Sequence, residues 1–259
     1  MQKEITSADN AKIKHLKKLG MKKYRDKDNE FVVENAVLID DAVAAGYYPK
    51  QIFVTEAWIE KNERTWNNIL DRSGIETFYA INEKINRVFS ELETPSGIVA
   101  LYDKLDKPID YKTPIAYLNG ISDPGNLGTI LRSALAFGFS DIVLDENCAD
   151  LYNPKTIQAA KESIFKLNIE RDEDQKIFKK IRKIMPVFAT QVDEGEDVKS
   201  FLTKDNFCIV LGSESHGVDP AILKQADGYV RIKMSDQIES LNVAAAAAII
   251  FHEIYQNRH

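Results

Sequence analysis

Two spacings of apolar positions alternate along this chain. Ile13, Leu16 and Leu19 recur at helical intervals among lysines, which predicts an amphipathic helix over 7–24 capped by Ser7. A short β-like run at 30–34 follows, then a helix over 36–45 stopped by Gly46. A strand at 51–55, a helix near 61–72, a strand at 75–80, a helix near 83–90 and a strand at 97–102 complete a first α/β unit. The segment 103–114 holds charge, two prolines and little apolar content, so it reads as the boundary. The expected division is therefore 1–104, a linker at 105–113, and 114–259.

Beyond that boundary the spacings alternate again. Strands are expected at 115–118, 141–144, 165–169, 186–190, 207–211 and 229–232, and helices at 127–137, 155–163, 173–184, 220–225 and 241–256. Strands separated by helices imply a mostly parallel sheet with helices on its faces. The run Ala244–Ala248 makes a small-residue helix suited to close packing.

Composition narrows the class. With 44% hydrophobic and 29% charged residues, the chain is an ordinary globular protein. Its longest apolar run, Val243 to Phe251, is far shorter than the roughly 20 residues that span a bilayer. The first residues lack the apolar core of a secretory signal, so a cytoplasmic protein without membrane association is expected. Cys148 and Cys208 fall in no zinc-ligand spacing, and no metal is expected. Cys208 reads as a buried small hydrophobe.

Charge is distributed unevenly. The chain totals −6, yet residues 1–27 carry nine basic residues against three acidic ones. Lys12, Lys14, Lys17, Lys18, Lys22, Lys23 and Arg25 are candidate phosphate contacts, because affinity for a polyanion follows local charge. The same residues also fit a solvated helix face.

Three polar loops carry the candidate chemistry. The first, 119–139, has a Pro124-Gly125 turn, Asn126 as a helix cap, and Arg132 one turn beyond Gly128 on the same helix face. Side chains lean toward a helix amino terminus, so Arg132 is expected to reach back toward Asn126 as an anion clamp. The second runs from Leu211 through Gly212, Ser213, Glu214, Ser215 and His216 to Gly217, with glycines where the backbone turns close to a ligand. His216 reads as a polar surface residue. The third leads from Ile232 past Met234 to Ser240, expected to cap the last helix, with Leu241 and Asn242 in its first turn. Loops at strand ends of one α/β domain can converge on a single ligand. GxGxxG, the phosphate loop and the GxSxG elbow are all absent.

These residues resemble the three motifs of the SpoU/TrmH class of SPOUT RNA methyltransferases. Asn126 and Arg132 match the first, Gly212, Glu214 and Gly217 the second, and Met234, Ser240, Leu241, Asn242 and Val243 the third. The run at 153–160 is similar to a further family segment, and 5–19 and 31–35 are similar to the small substrate-binding domain often fused ahead. The resemblance implies a trefoil-knotted α/β methyltransferase domain with a mostly parallel sheet, preceded by a small α/β/α ribosomal-protein-like RNA-binding domain. It implies S-adenosylmethionine as cofactor, held by Leu211, Gly212, Ser213, Glu214, Gly217, Ile232, Met234, Ser240, Leu241 and Asn242. It further implies a homodimer and methylation of a ribose 2′-hydroxyl, with ribosomal RNA ahead of transfer RNA as substrate. Asn126, Arg132, Glu214, Ser240 and Asn242 would form the catalytic group, Arg132 also touching RNA. Ser215, His216, Lys233, Asp236, Glu162 and Ala244 depart from the usual family residues. Lys233, Asp236 and Glu162 motivate an alternative, a non-catalytic RNA-binding or ribosome-assembly protein on the same fold.

Overall fold

The computed structural model describes residues 1–201, 206–213, 215–235 and 237–258. Packing divides the chain into two units, one of Met1–Leu105 with Tyr152–Ile157, the other of Asp106–Leu151 with the chain from Gln158 onward.

In chain order the first unit contains β1 (Gln2–Ile5), α1 (Ala11–Leu19), α2 (Lys22–Asp28), β2 (Glu30–Val33), α3 (Ala36–Ala44), β3 (Gln51–Thr55), α4 (Glu56–Lys61), α5 (Glu63–Ser73), β4 (Phe78–Ile81), α6 (Glu83–Phe89) and β5 (Ile98–Asp103). Its sheet runs β1-β4-β3-β5-β2, parallel across β1, β4 and β3, with β5 antiparallel to both neighbours. Ile13, Leu16 and Leu19 of α1 bury against Phe53, Val99 and Leu101 of the sheet and Ile85 and Phe89 of α6. Each such side chain contributes roughly 1.5–3 kcal/mol on leaving water.

The basic amino-terminal segment is two helices, not one. Asn10 rather than Ser7 caps α1, its side chain accepting from the Lys12 N–H. The chain breaks at Gly20 and Met21, and Arg25 explains how the break is tolerated. Its guanidinium is buried and donates to the Leu19 and Gly20 carbonyls, both at 2.7 Å. These are oxygens that a helix end leaves without partners. Arg25 is therefore a structural cap and does not belong to an RNA-facing surface. β1 was not expected because only Ile5 is buried in it, so an edge strand shows no alternation.

The second unit follows with β6 (Ile115–Asn119), α7 (Pro124–Ala136), β7 (Asp141–Leu144), α8 (Pro154–Ala160), α9 (Ser163–Lys166), β8 (Asn168–Arg171), α10 (Lys176–Ile181), β9 (Val187–Thr190), β10 (Glu196–Asp197), β11 (Cys208–Gly212), α11 (Pro220–Leu223), β12 (Gly228–Arg231) and α12 (Val243–Arg258). Seven strands in the order β10-β12-β9-β11-β6-β7-β8 pair parallel throughout. One face of the sheet buries Tyr117, Val143, Val187 and Val210 with Phe178, Ile181 and Ile222. α7 and α12 pack together, and both bury apolar residues, among them Ile130, Leu131, Ala247 and Phe251. The central strands are buried on both faces, which accounts for their unbroken apolar runs.

Three expected boundaries move for physical reasons. The strand expected at 165–169 is α9 followed by β8, because Ile164, Phe165 and Leu167 are all buried and such a short apolar run fits either period. Asn62 ends α4 and begins α5 where a single helix at 61–72 was expected. The helix at 173–184 contracts to α10, preceded by Asp174 and Gln175 in the left-handed region.

Arg25→Ala strips the two carbonyls at the end of α1 of their donor. The expected cost is about 2 kcal/mol in a urea titration. Weaker RNA binding at unchanged stability would instead return Arg25 to the binding surface.

Candidate active site

The carboxyl ends of the four adjacent strands β6, β11, β9 and β12 lie level. Asn119 is opposite Gly212, Val210 is opposite Ala189, and Val230 is opposite Thr190. Each strand then enters a polar loop.

After β6 the chain turns through Gly120 and α7 begins at Pro124. Asp123, not Asn126, is the cap, its carboxylate accepting from the Asn126 N–H at 2.7 Å. A carboxylate at the cap with proline in the next position is a favourable helix start. Capping by Asp123 leaves the Asn126 side chain available, and its Oδ1 accepts from Nδ2 of Asn242 at 3.2 Å. Asn242 is the cap of α12 in place of Ser240, its Oδ1 accepting from the Ala244 and Ala245 N–H groups at 3.0 and 3.2 Å. The first and third loops, 116 residues apart in sequence, are thus joined side chain to side chain.

The second loop closes on itself. Ser213 N–H donates to the Gly217 carbonyl at 3.0 Å, and Gly217 N–H returns to the Ser213 carbonyl at 2.9 Å. The Ser213 hydroxyl accepts from the His216 N–H at 3.3 Å. The returning chain runs so close to β11 that a Cβ at Gly212 would lie 2.1 Å from the Gly217 carbonyl carbon. No side chain fits there.

Between these loops lies a cleft of about 360 Å³. Leu211, Gly212, Ser213 and Gly217 line it from the second loop, and Ile232, Met234, Ser240 and Leu241 from the third. Val218, Leu223, Val230 and Ile250 add apolar wall. Eight of the ten expected donor-binding residues therefore meet on one cavity. Glu214 and Asp236 lie outside the described residues. Asn242 is not on the wall. Arg132 is exposed, off the wall, and has no hydrogen-bond or ion-pair partner among the described residues. Among the described residues Arg132 makes no hydrogen bond to Asn126, and Gly128, between them on α7, is buried.

Further polar contributions to the wall carry no glycine motif in the sequence. Thr190, Gln191, Val192 and Asp193, after β9, line the cleft, as does His216. The signal was a strand entering a polar turn, the same grammar as the other loops, but without a glycine at the bend.

Both cysteines are buried. Burial pushes both thiols far above their ordinary range, with the Asp145 carboxylate adding to the effect at Cys148. Among the described residues no group of three His, Cys, Asp or Glu side chains is placed to hold a metal ion, and no helix is long and apolar enough to cross a membrane.

The lysines of the first unit are variously engaged. Lys12 donates to Gln51 at 3.2 Å and lies over the Tyr79 ring. Lys14 pairs with Asp9 and Lys22 with Asp26. Lys18 and Lys23 flank the Tyr24 ring, and Lys17 is exposed.

The sequence profile of the SpoU rRNA Methylase family matches residues 114–252, more than half of the chain. This protein belongs to that family. The profile of the MRM3-like substrate binding domain matches residues 10–100. Over 253 residues the chain is 32% identical to the 23S rRNA (guanosine(2553)-2'-O)-methyltransferase RlmP of Bacillus subtilis, covering 97% of this chain and 99% of that protein. The crystal structure of AdoMet-bound rRNA methyltransferase from Sinorhizobium meliloti superposes with a TM-score of 0.85 at 26% identity, covering 97% of each chain. A crystal structure of an RNA 2'-O ribose methyltransferase gives 0.80 at 28% identity over 99% of each. In this SpoU family member eight of the ten expected donor-binding residues share one cavity, and the motif arginine is not on its wall.

Gly212→Ala tests the close approach. The added methyl cannot be accommodated without moving the Gly217 backbone. We expect a loss of more than about 2 kcal/mol in stability and a deformed cleft. A variant as stable as the parent would show that the loop yields freely.

Proposed function

We propose that this protein transfers a methyl group from S-adenosylmethionine to a ribose 2′-hydroxyl of RNA, with ribosomal RNA as the first candidate and transfer RNA as the second. The carrying observation is the convergence of the second and third loops on one apolar cleft, tied through Asn242 to the Asn126 loop. The full-length likeness to a named 23S rRNA 2'-O-methyltransferase supports the substrate class.

The cleft suits the donor. Gly212, Ser213 and Gly217 present backbone beside it, and Leu211, Ile232, Met234 and Leu241 supply apolar surface for a purine ring. Bound there, S-adenosylmethionine supplies a methyl already made electrophilic by its sulfonium. The protein's task is then positioning and charge. A 2′-hydroxyl becomes nucleophilic as its proton passes to solvent water, and developing negative charge on oxygen needs a fixed cation. A guanidinium stays charged in proteins, so Arg132 acts by holding the neighbouring phosphate and stabilising the alkoxide, not as a free base. The Asn126–Asn242 pair orients the reacting group, Ser240 shapes its rim, and Glu214 belongs to the same catalytic group. The exposed position of Arg132 fits a homodimer with the site near the subunit interface. The carboxy-terminal domain carries the trefoil knot of its family, the work is done in the cytoplasm, and no metal takes part. Residues 1–104 hold RNA through Lys12, Lys14, Lys17, Lys18, Lys22 and Lys23, joined by 105–113 to the catalytic domain at 114–259.

Arg132→Ala is expected to lower methyl transfer by roughly a hundredfold or more. Donor binding, measured by calorimetry, should stay near that of the parent. Equal turnover would remove Arg132 from the mechanism, and no donor binding by the parent protein would sink the enzyme reading in favour of a non-catalytic RNA binder. Neutralising Lys14, Lys17, Lys18 and Lys22 together should weaken RNA binding and flatten its dependence on salt. Unchanged affinity would assign that helix surface to solvent alone.

A further inference from the structure

Asn119 is the last residue of β6 and stands opposite Gly212 in the sheet register. Its side chain is buried and makes two hydrogen bonds of opposite sense. Nδ2 donates to Oδ2 of Asp145 at 2.7 Å. Oδ1 accepts from the Asp219 N–H, also at 2.7 Å, across 100 residues of chain. The partners fix which way the amide faces, since a carboxylate only accepts and a backbone N–H only donates. Asp145 is held in turn, its other oxygen accepting from the Gly120 and Asn147 N–H groups at 3.0 and 3.1 Å.

Asp219 is where the second loop leaves the cleft. Gly217 and Val218, just before it, form part of the cleft wall, and its carboxylate caps α11 through the Ala221 N–H. Ser213 and Gly217 close the loop at its neck, but those bonds lie within the loop and do not tie it to the sheet. Val218 packs in the core with Tyr117 and Val210, and the hydrogen bond from the loop's exit to β6 is made by the Asn119 amide. We infer that Asn119, oriented by Asp145, is a positioning residue that latches the returning strand of the second loop and so sets the width of the donor cleft. The inference rests on the reading of that cleft as the methyl-donor site.

The polarity of the pair makes the latch testable. Asn119→Asp sets two carboxylates against each other at hydrogen-bond distance. Asp145→Asn sets two N–H groups against each other, and flipping the Asn119 amide to relieve them turns its N–H toward that of Asp219. The double variant N119D/D145N restores every donor to an acceptor, because the introduced amide donates to the introduced carboxylate, which still accepts from Asp219.

Donor affinity is measured by calorimetry with S-adenosylmethionine, together with hydrogen exchange of the Asp219 amide. Each single variant should bind the donor roughly tenfold or more weakly and lose Asp219 protection. Its kcat at saturating donor should stay within about threefold of the parent. The double variant should recover affinity to within about threefold and regain protection. A double variant as weak as the singles, or single variants with full affinity and a protected Asp219, overturns the latch. Should a single variant not fold, the double variant decides alone by the same two readings. If the parent protein binds no S-adenosylmethionine, the donor assignment fails, and Asp219 exchange across the variants still decides the latch.

Discussion

The returning strand of the second loop lies against β11 with no room for a side chain between them. The backbone of Gly217 and Val218 occupies the space that any Cβ at Gly212 would need. Two main-chain segments in such contact bring their amides and carbonyls to the cleft in fixed positions, without intervening side chains whose rotamers could vary. A ligand recognised there is met largely by backbone, and only glycine permits that approach. The apolar wall can vary in detail, whereas this contact cannot.

The level ends of β6, β11, β9 and β12 turn that contact into a site. Parallel strands release their chains at the same edge, and the loops that follow have nowhere to go except across it. Helix caps then divide the work among polar side chains. Asp123 takes the amino terminus of α7 and Asn242 that of α12, and the Asn126 side chain meets Asn242. Two helix starts and one cross-link thus come from three short side chains. The structural requirement of capping thus decides which side chains are left to join the two loops.

Much of this was legible before any coordinates. Strands buried on both faces leave continuous apolar runs, so the parallel sheet at 115–232 could be read directly, and glycines marked the second loop. The cleft residues Leu211, Gly212, Ser213, Gly217, Ile232, Met234, Ser240 and Leu241 followed from that grammar together with family resemblance. What escaped shares a physical cause. Arg25 looks like its lysine neighbours in sequence, and only three-dimensional packing shows it satisfying the end of α1. The Thr190–Asp193 turn lacks a glycine at the bend, and the edge strand Gln2–Ile5 lacks a buried alternate face. Choosing between Asn126 and Asp123, or Ser240 and Asn242, as cap requires backbone angles that composition does not encode.

The six residues Tyr152–Ile157 belong with the first unit although the second supplies the chain on either side of them. Tyr152 is placed there by its ring against Phe31, 4.6 Å between centroids, and by its hydroxyl accepting from the Leu105 N–H at 2.9 Å. During synthesis, then, the amino-terminal unit leaves the exit tunnel incomplete. Its last piece arrives only after β6, α7 and β7 have emerged, so the first unit cannot close before synthesis of the second is under way.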